Sequence, residues 1–186
     1  MQSDASLDGS VQTDGTVANG VNNMNLGFFS TGAQTLRGFL SFSPAAIRSG
    51  YLHVSVATLS ARQGVSSVTD PYPALGPVQV LPVNYGTGLT AGAFTVAPEV
   101  SCGAPYACWP VLANVNTPGV YYSVDVTSFV AQQLADPAHA WCQFMLAHIF
   151  VVNPSSRATS NWATGESTAF PELAVTYDWA GPLTFP

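Results

Sequence analysis

Apolar and polar residues alternate along much of the chain, while spacings of three and four are nearly absent. Alternation is the signature of strands, because successive side chains of a strand point to opposite faces of the sheet. It predicts strands at Ser10–Thr16, Met24–Ser30, Leu36–Ser43, Tyr51–Leu59, Val78–Tyr85, Val120–Val124, Trp141–Val152 and Leu173–Tyr177. These segments are rich in Val, Phe, Tyr and Thr and are bounded by turn-forming Gly, Pro, Asn and Asp. Asp8-Gly9, Asp14-Gly15 and Asn19-Gly20 punctuate the first of them.

Two strands carry more detail. In Tyr51–Leu59, Leu52, Val54 and Val56 share one face, with His53 and Ser55 on the other, the pattern of a sheet with one side in water. In Trp141–Val152 both sets are apolar: Cys142, Phe144, Leu146, Phe150 and Val152 face one way, and Trp141, Met145, Ala147, Ile149 and Val151 the other. Such a strand must be covered on both sides, by the chain's own loops or by another subunit. A helix is expected only over Asp125–Asp136, where Val126, Phe129, Val130 and Leu134 are three and four apart. Asp125 or Thr127 can cap it, and Pro137 follows its end. The expectation is one all-β domain over 1–186, an antiparallel sandwich with one short helix and long loops at about 61–77 and 86–119.

A chain of 186 residues suits a single core. Its charge narrows the function. The only bases are Arg37, Arg48, Arg62 and Arg157, with no Lys, against ten acids. Scattered arginines give no patch for phosphates or for an anionic membrane surface, so a nucleic-acid partner and a basic membrane helix are not expected. No apolar run reaches the roughly 18 residues of a membrane span, and Met1 is not followed by the basic and apolar regions of a secretion signal.

Candidate chemistry is sparse. Cys102 and Cys108 flank Gly-Ala-Pro-Tyr-Ala, a spacing suited to a local disulfide and an oxidising compartment, with Cys142 left over. The sequence holds no nucleophile elbow, HExxH or phosphate loop. A Cys142 nucleophile with His139 or His148 is disfavoured: six residues along a strand place Cys142 and His148 roughly 20 Å apart, with Cys142 on the core face. No catalytic residue is assigned, and the chain is not expected to be an enzyme.

The order of motifs resembles the DNRLRE-type surface domain, related to carbohydrate-binding modules of family 96. Asp8-Gly9-Ser10-Val11, Asn25-Leu26-Gly27 and Arg37-Gly38-Phe39-Leu40-Ser41-Phe42 open the pattern. Tyr122-Ser123-Val124-Asp125-Val126-Thr127, Phe144-Met145-Leu146, Glu166 and Pro171-Glu172-Leu173-Ala174-Val175-Thr176-Tyr177 complete it. Between Gly64 and Gly119 the family's Trp-containing middle motif is replaced by a Pro/Gly/Cys insert. The resemblance implies a jelly roll on extracellular or surface proteins, used as an accessory or adhesive module.

Jelly-roll modules often hold a structural Ca²⁺, for which Asp4, Asp8, Asp14 and Asp178 are the candidate ligands. Tyr72, Tyr85, Tyr106, Trp109 and Trp162 lie in or beside expected loops and are candidates for stacking on a sugar of a polysaccharide. Few charges and a doubly apolar strand favour self-association. The expected function is a non-catalytic module for assembly or adhesion on a secreted, cell-surface or virus-type shell protein, with glycan binding as the alternative.

Overall fold

The computed structural model describes residues 1–29, 34–48, 51–64, 70–101, 108–149 and 157–179. The strands are β1 (Gly9–Gln12), β2 (Val17–Asn19), β3 (Asn23–Phe29), β4 (Gln34–Phe42), β5 (Tyr51–Arg62), β6 (Val78–Pro82), β7 (Val111–Ala113), β8 (Tyr121–Asp125), β9 (Cys142–His148), β10 (Ala158–Ala163) and β11 (Glu172–Trp179). Helices α1 (Ala45–Arg48) and α2 (Tyr72–Leu75) are single turns, and α3 (Thr127–Ala135) is the one longer helix among the described residues.

The strands form an all-β antiparallel sandwich. One sheet has eight strands, in the order β10-β3-β4-β9-β6-β7 with β1 and β2 joined through β4; the other has three, in the order β11-β5-β8. Between them lies the main core, which gathers Met24, Leu40, Phe42, Leu59, Val80, Phe144, Leu146, Trp162 and Leu173. Val126, Phe129, Val130 and Leu134 of α3 join the same core. The helix begins where expected: Asp125 Oδ1 accepts the Thr127 N–H at 2.8 Å.

Sequence and structure part at four places. The first expected strand breaks into the β1–β2 hairpin at Asp14-Gly15, where Asp14 Oδ1 accepts the Thr16 N–H at 2.9 Å and Gly15 takes a φ of 87°. Val56 is half exposed rather than in phase with buried Val54, because a bulge opposite Thr176/Tyr177 shifts the alternation. Ala57, Leu59 and Ala61 then fill the inner face. Strands β7 and β10 lie where loop or no element was expected. The long loops are tied down: in the first, buried Gln63 donates to Tyr72 Oη and Asn116 Oδ1, both at 3.1 Å.

Over Cys142–His148 strand β9 buries both of its faces; Phe150, Val151 and Val152 of the expected strand lie outside the described residues. Cys142, Phe144 and Leu146 enter the main core. On the outer side Met145 packs with Val11, Phe39, Leu81, Val83, Leu89 and Ala93 in a second cluster. The chain itself supplies that cover, from the hairpin and from the segment that includes a 3₁₀ turn at Ala91–Thr95. Of the two sources of cover the sequence left open, the covering segment is intramolecular.

Candidate functional site

The outer cover is pinned by a row of buried amides. Gln143 on β9 accepts the Tyr85 N–H at 2.9 Å and donates to the Gly86 carbonyl at 2.7 Å. Gln133 on α3 donates to the Gln143 carbonyl at 3.0 Å and to Glu99 Oε2 at 2.7 Å. Glu99 in turn meets His139 Nε2, whose other ring nitrogen lies 3.1 Å from Asp136 Oδ2. The charged end of this row anchors the cover to the helix end.

Where the cover ends, a cavity of about 280 Å³ opens over the outer face, with Leu36, Leu81 and Met145 among its lining and Pro98, Trp109 and Arg37 around them. The Arg37 guanidinium lies 4.5 Å from the centre of the Phe94 ring and donates to the Phe94 carbonyl at 2.5 Å. Burial lowers its pKa. Trp109 is half-buried, and its Nε1–H donates to the Val100 carbonyl at 3.0 Å. The indole is thereby fixed as one wall of the cavity.

Of the aromatic candidates for sugar stacking, Trp109 alone lines this cavity among the described residues. Trp162 has no exposed surface and Tyr72 is 6% exposed, so both expectations are corrected: each ring faces the core. Tyr85 stands edge-on to Phe39, and its hydroxyl donates to the Leu7 carbonyl at 3.1 Å. Burial raises the pKa of Tyr85 far above its ordinary value. Tyr106 lies outside the described residues, as does Cys102, so the Cys102–Cys108 bridge stays a proposal.

Buried Cys142 and His148 stand at opposite ends of β9. His148 has different company. Its Nδ1 lies 2.7 Å from the Gly76 carbonyl and its Nε2 2.9 Å from Ser160 Oγ, which also receives the Trp162 Nε1–H at 3.0 Å. A carbonyl only accepts, so Nδ1 carries the proton and Nε2 accepts from the serine. Burial lowers the His148 pKa to about 4, keeping the ring neutral. The pair has the spacing of a Ser–His dyad; both side chains are buried, and His148 is among the residues lining the cavity beside Trp109. The pair ties β9 to β10.

The four expected calcium ligands do not converge, and among the described residues no three His, Cys, Asp or Glu side chains gather as a metal site. Asp14 sits at the hairpin tip, roughly 20 Å along the extended chain from Asp8. Asp178 pairs with His53 at 2.6 Å on the other sheet, and Asp4 Oδ1 is taken by the Ser6 N–H and hydroxyl. Asp8 is different: it is fully buried, its Oδ1 accepts the Ser41 N–H at 2.9 Å and its Oδ2 the Gly165 N–H at 3.1 Å. Burial raises its pKa to about 7 against hydrogen bonds from the Ser3 side chain and from these two N–H groups, with repulsion from Glu166 the smallest contribution. Glu166, noted in the sequence only as a motif position, follows Gly165, whose N–H the Asp8 carboxylate accepts.

No protein-family model matches the chain, and no curated protein matches it.

Proposed function

We propose that the chain is a non-catalytic contact module of an exterior assembly, joining copies of itself through the outer face of the three-stranded sheet. The observation that carries this reading is the composition of that face. Registered rows place Ser60 between Ser123 and Glu172 and Thr58 between Asp125 and Ala174, with Val56 beside Thr176, so the centre of the face is uncharged and its edge strands carry the acids. Small uncharged side chains make a flat surface on which a second sheet can lie at about 10 Å. Arg62, Asp125, Glu172 and Asp178 stand around its margin. Scarce charge elsewhere leaves little repulsion between copies.

Light scattering after size exclusion tests it. The chain should run as an oligomer, and Thr58→Lys with Ser60→Glu on the exposed face should run as a folded monomer. A monomeric unaltered chain at high concentration would refute the reading.

A second reading, binding of a polysaccharide, is favoured by the indole wall of the 280 Å³ cavity. A sugar ring stacks on an immobilised indole, with Arg37 as a nearby polar group. A glycan array comparing the chain with Trp109→Ala separates this reading from the first, because the indole does not lie on the three-stranded sheet.

A further inference from the structure

We infer that the open edge of β8 pairs with β8 of a second copy, antiparallel and two-fold about Ser123, and so fuses two three-stranded sheets into one. The first observation is which main-chain groups are spare. An antiparallel pair alternates between residues that exchange hydrogen bonds and residues whose N–H and C=O point away from the partner strand. Just beyond the two ends of the β5–β8 pairing, the Val126 N–H donates to the Ala57 carbonyl at 2.9 Å and the Gln63 N–H to the Val120 carbonyl at 3.0 Å. That phase turns the main-chain groups of Tyr121, Ser123 and Asp125 outward, away from β5. Among the described residues no hydrogen bond takes the N–H of any of the three.

The second observation is that the other edges are guarded and this one is not. Strand edges are blunted by short length, bulges, Pro, charge or cover, and an edge with none of these accepts a further strand. Strand β11 carries two register shifts, and on its outer side Leu173 exchanges main-chain hydrogen bonds with Met1. On β10 the Asn161 carbonyl accepts the Gly64 N–H. Strands β2 and β7 have three residues each. Strand β8 runs for five residues in unbroken register, with neither Pro nor Lys. Its core-facing Tyr122 and Val124 are half-buried, while Ala61 and Leu59 opposite them on β5 have no exposed surface, as an open side requires. Of the six large apolar side chains exposed among the described residues, Val111, Val115, Val120 and Tyr121 all come from the stretch leading into β8.

The strand is complementary to itself in one register. With Ser123 on the two-fold axis, its N–H and carbonyl meet those of Ser123 in the second copy, and the outward groups of Tyr121 meet those of Asp125. Tyr122 then stands opposite Val124, an aromatic beside a β-branched residue, and Asp125 stands opposite Tyr121 rather than another acid. A shift of two places fails in either direction. Centred on Asp125, it opposes two carboxylates; centred on Tyr121, it needs the Gly119 N–H, which already donates to the Gln63 carbonyl at 2.7 Å. The contact rests on the face-to-face reading of the same sheet. Five residues a side bury far less than the roughly 1,000 Å² of a specific interface, so edges pair only where stacked sheets add their area.

The test compares mass by light scattering for the unaltered chain, Ser123→Pro, and Thr58→Lys with Ser60→Glu. Proline removes the outward Ser123 N–H and no hydrogen bond to β5, and edge strands tolerate it. The unaltered chain should run at about twice the mass of Ser123→Pro, which keeps only the stacked contact. The variant altered on the face should be monomeric. Should Ser123→Pro fail to fold, amide exchange on the unaltered chain supplies the contrast. The Tyr121 and Ser123 amides should be protected in the assembly and should exchange freely in the face variant. An assembly whose mass Ser123→Pro leaves unchanged, or whose Tyr121 and Ser123 amides exchange freely, overturns the edge contact and leaves the stacked contact standing. A face variant that stays dimeric until Ser123→Pro is added does the reverse. A monomeric unaltered chain overturns both.

Discussion

The two faces of the eight-stranded sheet are both apolar, yet they are closed by different means. The inner face meets a second sheet and a helix, regular elements whose backbone groups satisfy one another, so large side chains such as Phe144 and Trp162 are wholly buried. The outer face is covered by irregular chain, whose backbone needs partners from side chains; Gln133 donates to the Val83 carbonyl, and Gln143 serves the Tyr85 N–H and the Gly86 carbonyl. The irregular cover also leaves the cavity beside Trp109. A sheet face closed by a sheet makes core, whereas one closed by loops makes core with an opening.

Substitutions sharpen this contrast. Phe144→Ala on the inner face should cost about 3–5 kcal/mol in denaturant unfolding, because that core does not collapse around a lost ring. A pH effect of about 3 kcal/mol at most follows from His148, whose pKa falls from 6.5 to about 4 on burial. The unfolded chain takes up the proton first, so this contribution is complete above pH 6.5 and is lost as pH falls through 4. Subtracting the stability of His148→Gln from that of the unaltered chain at each pH isolates it from other titrations. No difference in slope between pH 6.5 and 4 would show that His148 is not held neutral.

Met145→Ala on the outer face should cost about 2 kcal/mol, at the low end for a buried Met, since space beside it is already open. An equal loss at Met145 and Phe144 would break the comparison. His139→Ala should be smallest, about 1 kcal/mol. Its sign would be faster amide exchange in Ala93–Glu99 with β4 and β9 unchanged, because the cover alone is released. Uniform acceleration would show that cover and sheet open together.

The sandwich was readable because period-two alternation survives wherever one face meets the core. Strand β10 was not, since Ala158-Thr-Ser-Asn-Trp-Ala163 carries one large apolar side chain and packs by small residues instead. Missing that strand left Trp162 looking like a loop aromatic. The second cover of β9 was legible as a need, but its supplier depends on contacts such as Glu99 with His139, separated by 40 positions and visible only after folding. Asp8 and Gly165, whose N–H it accepts, lie 157 positions apart. Of the candidate site residues, Trp109 kept an open setting and Asp8 proved to be buried, while Tyr72 and Trp162 proved to be core.

The last strand adds a constraint on how the molecule is made. Strand β11 pairs along β5, while the Met1 amino group binds the Leu173 carbonyl across 172 positions. Until the ribosome releases β11, one long margin of β5 stays unpaired, and closing so distant a contact is slow. A nascent chain stalled before Pro171 would therefore present a sticky ribbon, so production of this protein should depend on chaperones that shield β5 until β11 has been made.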